Sequence, residues 1–262
     1  MPPAPPPAEL VRRYGPENLS AFTSEELERF LGPLGVSAAE AASAWDRVGP
    51  ALAWELLYRV EPELYDRLVA GERLHPGILD WFPRPVTFAV EVGAGTGRLT
   101  LDLATRCETL VAVEPAAPMR AVLEAKLDRA GLGHVRLADG FFERLPLPDR
   151  SADLVASCSA FTREAGHGAE AGLAEMLRVA APGGLVVVVW PDDPRWLVDR
   201  GFRHVVFPGA MCVEFRSEEE AAELAEVFHP QTVEWIRRKK ARSVPYEVLG
   251  VNAPRDLCWR RA

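Results

Sequence analysis

A carboxylate and three glycines occupy alternate positions in the stretch Glu91-x-Gly93-x-Gly95-x-Gly97, which overlaps the end of the mostly apolar run 86–92. The β-branched residues of that run predict a strand, and the leucines that follow the glycines predict the start of a helix. A tight turn between a strand and a helix uses backbone angles that favour glycine, and a residue without a side chain lets a ligand approach the main chain. The stretch therefore predicts a binding loop of the nucleotide type, with a purely structural turn as the alternative.

The spacing of the glycines separates two classes of cofactor. A dinucleotide-binding loop requires the pattern G-x-G-x-x-G. Counted from Gly93 the sixth residue is Arg98, and counted from Gly95 it is Thr100. Neither register fits, so the pattern disfavours a dinucleotide at this loop.

Two further acidic residues follow the next two predicted strands. Glu114 comes after the apolar run 110–113, about 20 residues beyond the loop, where a Rossmann-type fold places a carboxylate on the ribose hydroxyls. A carboxylate suits this task because it accepts hydrogen bonds from both hydroxyls. Asp139 and Gly140 follow the predicted strand 134–138, and on the residues alone this pair is a common turn.

The carboxylate and glycines resemble the first motif of the class I S-adenosylmethionine-dependent methyltransferases, in particular the type 11, ubiquinone-biosynthesis-like enzymes that act on small molecules. The segments LPLPDRSADLV and AEMLRVAAPGG are similar to two further segments of that family, so the resemblance covers residues 80–190. It implies transfer of a methyl group from S-adenosyl-L-methionine to oxygen, carbon, nitrogen or sulfur of a small molecule by in-line displacement, with S-adenosyl-L-homocysteine as product. An NAD(P)-dependent oxidoreductase and a catalytically silent S-adenosylmethionine-binding module are the alternatives.

The same resemblance implies which residues contact the cofactor. It places Asp139 at the adenine amino group, Met119 against one face of the adenine, and the glycine loop around the methionine end. The full set lies in that loop and at the ends of the next three strands: Glu91, Gly93, Ala94, Gly95, Thr96, Gly97, Glu114, Pro115, Met119, Asp139, Gly140, Phe141 and Ser157.

The reaction side is expected after the fourth strand, because the carboxyl ends of strands in open α/β sheets point at the ligand crevice. The chain reads Ser-Cys-Ser-Ala at residues 157–160, without the Asn/Asp-Pro-Pro-aromatic tetrad of enzymes that methylate amino groups of nucleic-acid bases or of glutamine. This difference favours a small-molecule acceptor. His167, in the loop that follows, is the candidate general base, with a surface histidine as the alternative. The candidate substrate-pocket residues are Tyr65, Cys158, Phe161 and Trp196.

The elements that position these residues alternate between strands and helices, which is typical of an α/β fold. We predict a Rossmann-like, doubly wound, mostly parallel seven-stranded sheet with an N-terminal helical cap. Capping boxes at Thr23/Glu26 and Ser37/Glu40 predict two helix starts, the second before a helix over 41–48. The predicted domains are a mobile Pro-rich tail over 1–22, the cap over 23–82, and the methyltransferase domain over 83–262. An insertion around 191–245 and late strands over 202–207 and 256–260 complete this prediction.

Composition narrows the choice of partners. The 262 residues carry a formal net charge of -8, which disfavours nucleic acid and an anionic membrane surface. The first ten residues lack the basic start and apolar stretch of a signal peptide, and no apolar run approaches the length of a membrane helix, so we expect a cytoplasmic protein. The four cysteines form no C-x-x-C pair, which predicts reduced thiols and no metal site.

Overall fold

Five parallel strands form one side of a seven-stranded sheet, and two further strands, each antiparallel to its neighbour, complete the other side. The computed structural model describes residues 6–164 and 166–262. The strands, numbered along the chain, are β1 (Val86–Val92), β2 (Cys107–Val113), β3 (Val135–Ala138), β4 (Ala152–Cys158), β5 (Ala180–Val189), β6 (Arg203–Val206), β7 (Cys212–Glu214), β8 (Ser243–Pro245) and β9 (Asp256–Arg261).

The order of strands in the sheet determines where a ligand can bind. It is β3-β2-β1-β4-β5-β9-β6, so the chain runs outward from β1 to β3 and then places β4 on the other side of β1. The direction of winding therefore reverses between β1 and β4. In open α/β sheets the carboxyl ends of the strands at such a reversal form the ligand crevice. The predicted Rossmann-like, doubly wound and mostly parallel sheet is confirmed.

Helices connect the strands and cover the sheet. The α-helices are α1 (Ala8–Val11), α2 (Ser24–Leu31), α3 (Trp45–Val60), α4 (Pro62–Ala70), α5 (Pro76–Trp81), α6 (Thr100–Ala104), α7 (Ala117–Ala130), α8 (Ala169–Val179), α9 (Pro194–Val198), α10 (Glu218–Phe228), α11 (Val233–Lys239) and α12 (Tyr246–Leu249). Short 3-10 helices cover Pro16–Ala21, Gly32–Leu34, Ala38–Glu40 and Pro230–Thr232.

Both faces of the central strands are apolar, which is why they read as continuous hydrophobic runs in the sequence. On one face Val90 packs in a buried cluster with Met176 of α8. On the other face Ala89 packs in a second cluster with Ile78 of α5 and Leu103 of α6. Burial of these side chains holds the helices on the sheet and leaves the strand ends to carry polar groups.

Residue contacts divide the described chain into two compact units. The first contains Leu74–Gly209 and Pro254–Ala262, and therefore the whole seven-stranded sheet. The second combines residues 6–73 with Ala210–Ala253, which include the two-stranded pair β7–β8. The segment 210–253 begins after β6 and ends before β9. These two strands pair antiparallel, and beyond them Phe207 N–H donates to the Arg255 carbonyl at 2.8 Å.

The second unit corrects the predicted domain boundaries. Residues 8–22 are not a tail, because Leu10 and Tyr14 are buried and the Tyr14 hydroxyl donates to the Glu61 carboxylate at 2.9 Å. Residues 1–5 of the predicted tail lie outside the described residues. Helix α5 belongs to the sheet-containing unit although the predicted cap extends to residue 82. These boundaries depend on packing between residues far apart in the chain. The local sequence pattern from which they were predicted carries no information about that packing.

The two capping boxes have different outcomes. At the first, Thr23 Oγ1 accepts from the Glu26 N–H at 3.2 Å and the Glu26 carboxylate accepts from the Thr23 N–H at 2.8 Å, so the predicted start of α2 is confirmed. At the second, Ser37 is the N-cap of the 3-10 helix Ala38–Glu40, which ends at Glu40, and α3 begins later, at Trp45. The predicted helix over 41–48 therefore starts about one turn too early, because a capping box identifies a first turn and not the length of the helix after it.

Two observations concern the predictions from composition about thiols and membrane helices. All four cysteines lie in the described part of the chain, and none forms a disulfide. Within residues 6–164 and 166–262, no helix combines the length and apolar character that crossing a bilayer requires.

Arg59 is a buried cation that we expect to stabilise the second unit. Its side chain is 2% exposed and contacts the carboxylates of Glu55 at 2.5 Å and Glu26 at 2.7 Å. Arg59→Met leaves both carboxylates without this cation, so the free energy of unfolding should fall by about 3 kcal/mol in urea denaturation followed by circular dichroism. Arg12→Met removes an exposed pair with Glu9 and should cost less than about 1 kcal/mol. Equal, small losses in the two variants would contradict the prediction.

Candidate functional site

The residues predicted to bind the cofactor lie along the carboxyl edge of the sheet. The last residues of β1, β2 and β3 are paired with one another in register. Gly93, Glu114 and Asp139 each follow directly after one of these paired residues. The parallel register therefore brings the glycine loop and two carboxylates to the same edge, beside the point at which the strand order reverses.

The glycines of the loop are required by the backbone and by packing. Gly93, Gly95 and Gly97 have φ values of 74°, 56° and 99°, all in the region that favours glycine. A Cβ on Gly97 would lie 2.5 Å from Cδ1 of Leu123 on α7, and one on Gly93 would lie 2.5 Å from Cβ of Ala160. The sequence explains these glycines by the approach of a ligand to the main chain. The structure adds a second reason, because protein atoms occupy the space beside Gly93 and Gly97.

The N–H groups of the loop point into the protein. Gly93 and Ala94 both donate to the carbonyl at the end of β2, at 2.9 and 3.0 Å, and Gly97 donates to the Ala94 carbonyl at 3.0 Å. Gly95 donates to a Glu114 carboxylate oxygen at 2.9 Å. A phosphate-binding loop instead directs successive N–H groups at its ligand. This arrangement disfavours a pyrophosphate at the loop and with it the NAD(P)-dependent alternative.

Glu114 is fixed beside the loop by two backbone donors. Its carboxylate is buried, with the residue 7% exposed, and its two oxygens accept from the N–H groups of Gly95 and Ala116, each at 2.9 Å. A carboxylate held in one orientation suits a ribose, because both ribose hydroxyls can donate to it. The chemistry of this donor set fits the nucleoside of S-adenosylmethionine.

The residues predicted around the adenine differ in exposure. The Asp139 side chain is 68% exposed, whereas Met119 on α7 is buried. An added Cβ on Gly140 would lie 2.7 Å from Cδ of Pro146, and the carbonyl of the partly buried Phe141 accepts the Arg144 N–H at 3.1 Å. The structure thus packs Met119 into the protein, and its contact with adenine stays a prediction.

Four buried polar atoms around the loop make no hydrogen bond within the described residues. They are Oε2 of Glu91 and the hydroxyl oxygens of Thr96, Thr100 and Ser157. Buried polar atoms in native proteins nearly always have a partner, and leaving one without a partner costs about 1–3 kcal/mol. Their positions in β1, the glycine loop, the start of α6 and the neighbouring strand β4 fit a site that completes its hydrogen bonds with a polar ligand or with water.

Glu91, the last but one residue of β1, has an unusual environment for a carboxyl group. It is 1% exposed, and burial raises its pKa to about 8. The nearby Thr100 hydroxyl lowers the pKa of this carboxyl in part, although the two groups lack normal hydrogen-bond geometry, and the charge of Glu114 raises it further. At neutral pH Glu91 is therefore mainly the neutral acid, which can donate as well as accept a hydrogen bond.

Two of the predicted substrate-pocket residues, Phe161 after β4 and Trp196 after β5, form an aromatic cluster with Phe142, which follows β3. Phe161 contacts Phe142 edge to face, with ring centroids 5.5 Å apart, and lies 6.0 Å from the ring of Trp196. The guanidinium of Arg200 lies 3.6 Å from the centroid of the Trp196 ring. Cys158 ends β4 and is buried. We refer to Phe142, Phe161 and Trp196 as the aromatic cluster.

The predicted reaction-side residues His167 and Tyr65 belong to different units of the chain. His167 lies in the loop between β4 and α8, where its carbonyl accepts the Thr162 N–H at 2.8 Å and its N–H donates to the Glu164 carbonyl at 3.1 Å. Tyr65 belongs to α4 of the second unit and packs edge to face on Tyr58 with centroids 5.0 Å apart. The roles of His167 as a base and of Tyr65 in a substrate pocket stay predictions.

Three residues at the carboxyl edge were not predicted from the sequence. Lys126 of α7 donates to the Thr96 carbonyl at 2.8 Å, and Arg120 of the same helix contacts the turn after β2. Trp190 follows β5 with a φ of 50°, and Arg98 lies 5.0 Å from its ring centroid. A bulky residue directly after a buried strand is the one signal that could have identified Trp190.

Metal ligation has no support among these residues. In the part of the chain that the structure describes, no group of three or more His, Cys, Asp or Glu side chains could hold a metal ion.

The raised pKa of Glu91 predicts a pH-dependent stability. Because the folded-state pKa of about 8 exceeds the ordinary value of 4.5, the folded protein keeps a proton that the unfolded chain releases, and stability falls as the pH rises toward 8. Glu91→Gln removes this effect. Relative to the wild type, its free energy of unfolding should rise by about 3 kcal/mol between about pH 5.5 and pH 8.5.

Urea denaturation at a series of pH values measures the Glu91 effect. Glu108→Gln, which removes an exposed carboxyl group on β2, corrects for the loss of one acidic residue. Identical pH slopes for Glu91→Gln and the wild type would show that Glu91 does not titrate in this way.

Comparisons with known proteins agree with this geometry. A family model described as a methyltransferase domain matches residues 90–188. An uncharacterized methyltransferase of Anoxybacillus flavithermus is 35% identical over 98 residues, which cover 37% of this chain and 44% of that protein. A demethylmenaquinone methyltransferase of Thermus thermophilus is 32% identical over 189 residues, which cover 65% of this chain and 84% of that protein. The chain thus spans less than half the length of the first relative and most of the second.

A solved structure gives the corresponding comparison in three dimensions. A S-adenosylmethionine-dependent methyltransferase from Aquifex aeolicus aligns with a TM-score of 0.45 at 21% identity, over 58% of this chain and 91% of that one. The match to most of the Thermus thermophilus relative and the match of the family model over β1 to β5 agree on one assignment. The chain belongs to the class I S-adenosylmethionine-dependent methyltransferases.

Proposed function

We propose that the protein transfers a methyl group from S-adenosylmethionine to a small molecule that carries an aromatic ring. The observation that carries the proposal is the Glu114 carboxylate, which two backbone N–H groups fix beside the glycine loop at the reversal of strand order. This is the polar group that a nucleoside needs, in a loop whose N–H groups are not arranged for phosphates.

Different residues at the carboxyl edge would bind different parts of the cofactor. Glu114 would hold the ribose and Asp139 the adenine amino group. The loop from Gly93 to Gly97 would hold the methionine end, with the buried hydroxyl groups of Thr96 and Ser157 close to the same turn. When bound, the cofactor supplies an electrophilic methyl carbon on a positively charged sulfur.

The protein contributes mainly orientation and exclusion of water. Holding an acceptor and a reactive carbon in line replaces a bimolecular encounter, and this alone can lower a barrier by several kcal/mol. Removing water strengthens the remaining electrostatic interactions. His167 is the candidate base for an acceptor that arrives protonated, because its loop follows β4 on the predicted reaction side.

Two observations support an aromatic acceptor. Trp196 of the aromatic cluster is only partly buried, so its ring could pack favourably on the ring of an acceptor, whereas Phe142 and Phe161 are buried in the core. The Thermus thermophilus relative acts, by its name, on a quinone. A quinol, whose ring and hydroxyl combine both features, is therefore the acceptor class that we place first.

Turnover with a panel of acceptors tests the proposed reaction. The protein is incubated with S-adenosylmethionine and quinols, phenols, alkyl amines or alkyl thiols, and S-adenosylhomocysteine and methylated product are measured by mass spectrometry. We expect turnover with quinols or phenols. Turnover with the alkyl compounds alone would contradict the aromatic acceptor, and thermal stabilisation by NAD(P)H but not by S-adenosylhomocysteine would contradict the reaction itself.

The role of Glu114 can be measured separately from turnover. Glu114→Ala removes a charged acceptor from the ribose, so the dissociation constant for S-adenosylhomocysteine should rise roughly 10- to 100-fold in calorimetry. Glu108→Ala, at an exposed position of β2, the strand that Glu114 follows, is the matched control. Circular dichroism confirms that both variants are folded. Unchanged affinity in folded Glu114→Ala would refute the ribose assignment.

A further inference from the structure

One cation, Arg120 of α7, contacts the turns that follow both β2 and β3. Its Nη1 donates to the carbonyl oxygens of Glu114 and Pro115, the second at 2.9 Å. The same nitrogen lies 3.3 Å from Oδ1 of Asp139. The Arg120 side chain is 20% exposed, so the contacts are made by a largely buried group.

The chemistry of the guanidinium explains how one side chain serves three acceptors. Nη1 carries two hydrogens, which the two carbonyls of the β2–α7 turn use, and the contact with Asp139 is an ion pair beside them. The planar guanidinium loses little freedom on binding. A lysine ammonium would carry the charge on a compact head with freely rotating donors in place of the planar group.

The two turns that Arg120 joins are those expected to bind different parts of the cofactor. Glu114 lies in the first turn and would bind the ribose, and Asp139 begins the second and would bind the adenine. An aspartate that is 68% exposed has many side-chain orientations in solution, so a largely buried cationic partner restricts it. The backbone of Glu114 and the side chain of Asp139 therefore share one anchor.

We propose that Arg120 is a positioning residue that couples ribose recognition by Glu114 to base recognition by Asp139. The inference rests on the proposed function, since it concerns the nucleoside of the same cofactor. It predicts that the loss of Arg120 weakens discrimination at both ends of the nucleoside, whereas the loss of either carboxylate weakens discrimination at one end only.

The test measures ratios of dissociation constants and not affinity alone. Three ligands are titrated calorimetrically: S-adenosylhomocysteine, its analogue with hydrogen in place of the 6-amino group, and its 2′-deoxy analogue. Each ratio to S-adenosylhomocysteine reports one contact, and general damage to the site would lower all three affinities by the same factor. The variants are Arg120→Met, Arg120→Lys, Asp139→Asn and Glu114→Gln.

We expect wild-type protein to bind each analogue about tenfold more weakly than S-adenosylhomocysteine. Asp139→Asn should reduce only the 6-amino ratio, and Glu114→Gln should reduce only the 2′-hydroxyl ratio, because each amide keeps an acceptor oxygen but loses the charge. Arg120→Met should reduce both ratios by at least threefold, and Arg120→Lys should restore part of the 6-amino ratio through its charge. Arg129→Met, an exposed arginine at the end of the same helix, is the matched control and should leave both ratios unchanged.

The outcomes separate this inference from the proposed function. If the wild type binds none of the three ligands, the proposed function fails. If the wild type discriminates and Arg120→Met keeps both ratios, changes only one, or loses affinity equally for all ligands, the coupling role of Arg120 is overturned while the proposed function stands. Circular dichroism of each variant verifies folding before titration.

Discussion

The hydrogen bond from the Gly95 amide to the Glu114 carboxylate joins the loop after β1 to the end of β2. It depends on the parallel register, because only strands that end together place a loop amide next to the first residue beyond a neighbouring strand. It also depends on the positive φ of Gly95, which turns the backbone toward that neighbour. This one hydrogen bond therefore depends on the order of the strands and on a glycine in the loop, and it holds the carboxylate that we propose binds the ribose.

The environment of this contact is polar but withdrawn from water. Glu91, Thr96, Thr100 and Ser157 each carry a buried oxygen without a hydrogen-bond partner in the described residues, which opposes folding. The apolar clusters on both faces of the sheet stabilise the fold enough to hold these groups in place. Buried polar groups without partners, held in place by a strongly packed core, are common at binding sites.

Local pattern predicted the features that depend on neighbours in sequence. The strand–glycine–helix order, the position of Glu114 and the capping box at Thr23 follow from periodicity, spacing and backbone chemistry, and the structure shows all three. The burial of Leu10 and the start of α3 could not be predicted, because they depend on packing between residues far apart in the chain. The same holds for Ala160 beside Gly93: no pattern in the loop shows which distant side chain fills the space that a glycine leaves.

The ends of the segment 210–253 lie side by side, since β6 and β9 pair and Phe207 donates to Arg255 beyond them. Because the cost of closing a loop grows only slowly with its length, a hairpin with joined ends tolerates inserted segments of very different size. The residues proposed to bind the nucleoside follow β1, β2 and β3, and none of these strands borders the hairpin. The architecture therefore allows this segment to vary in length without displacing the strands that carry those residues.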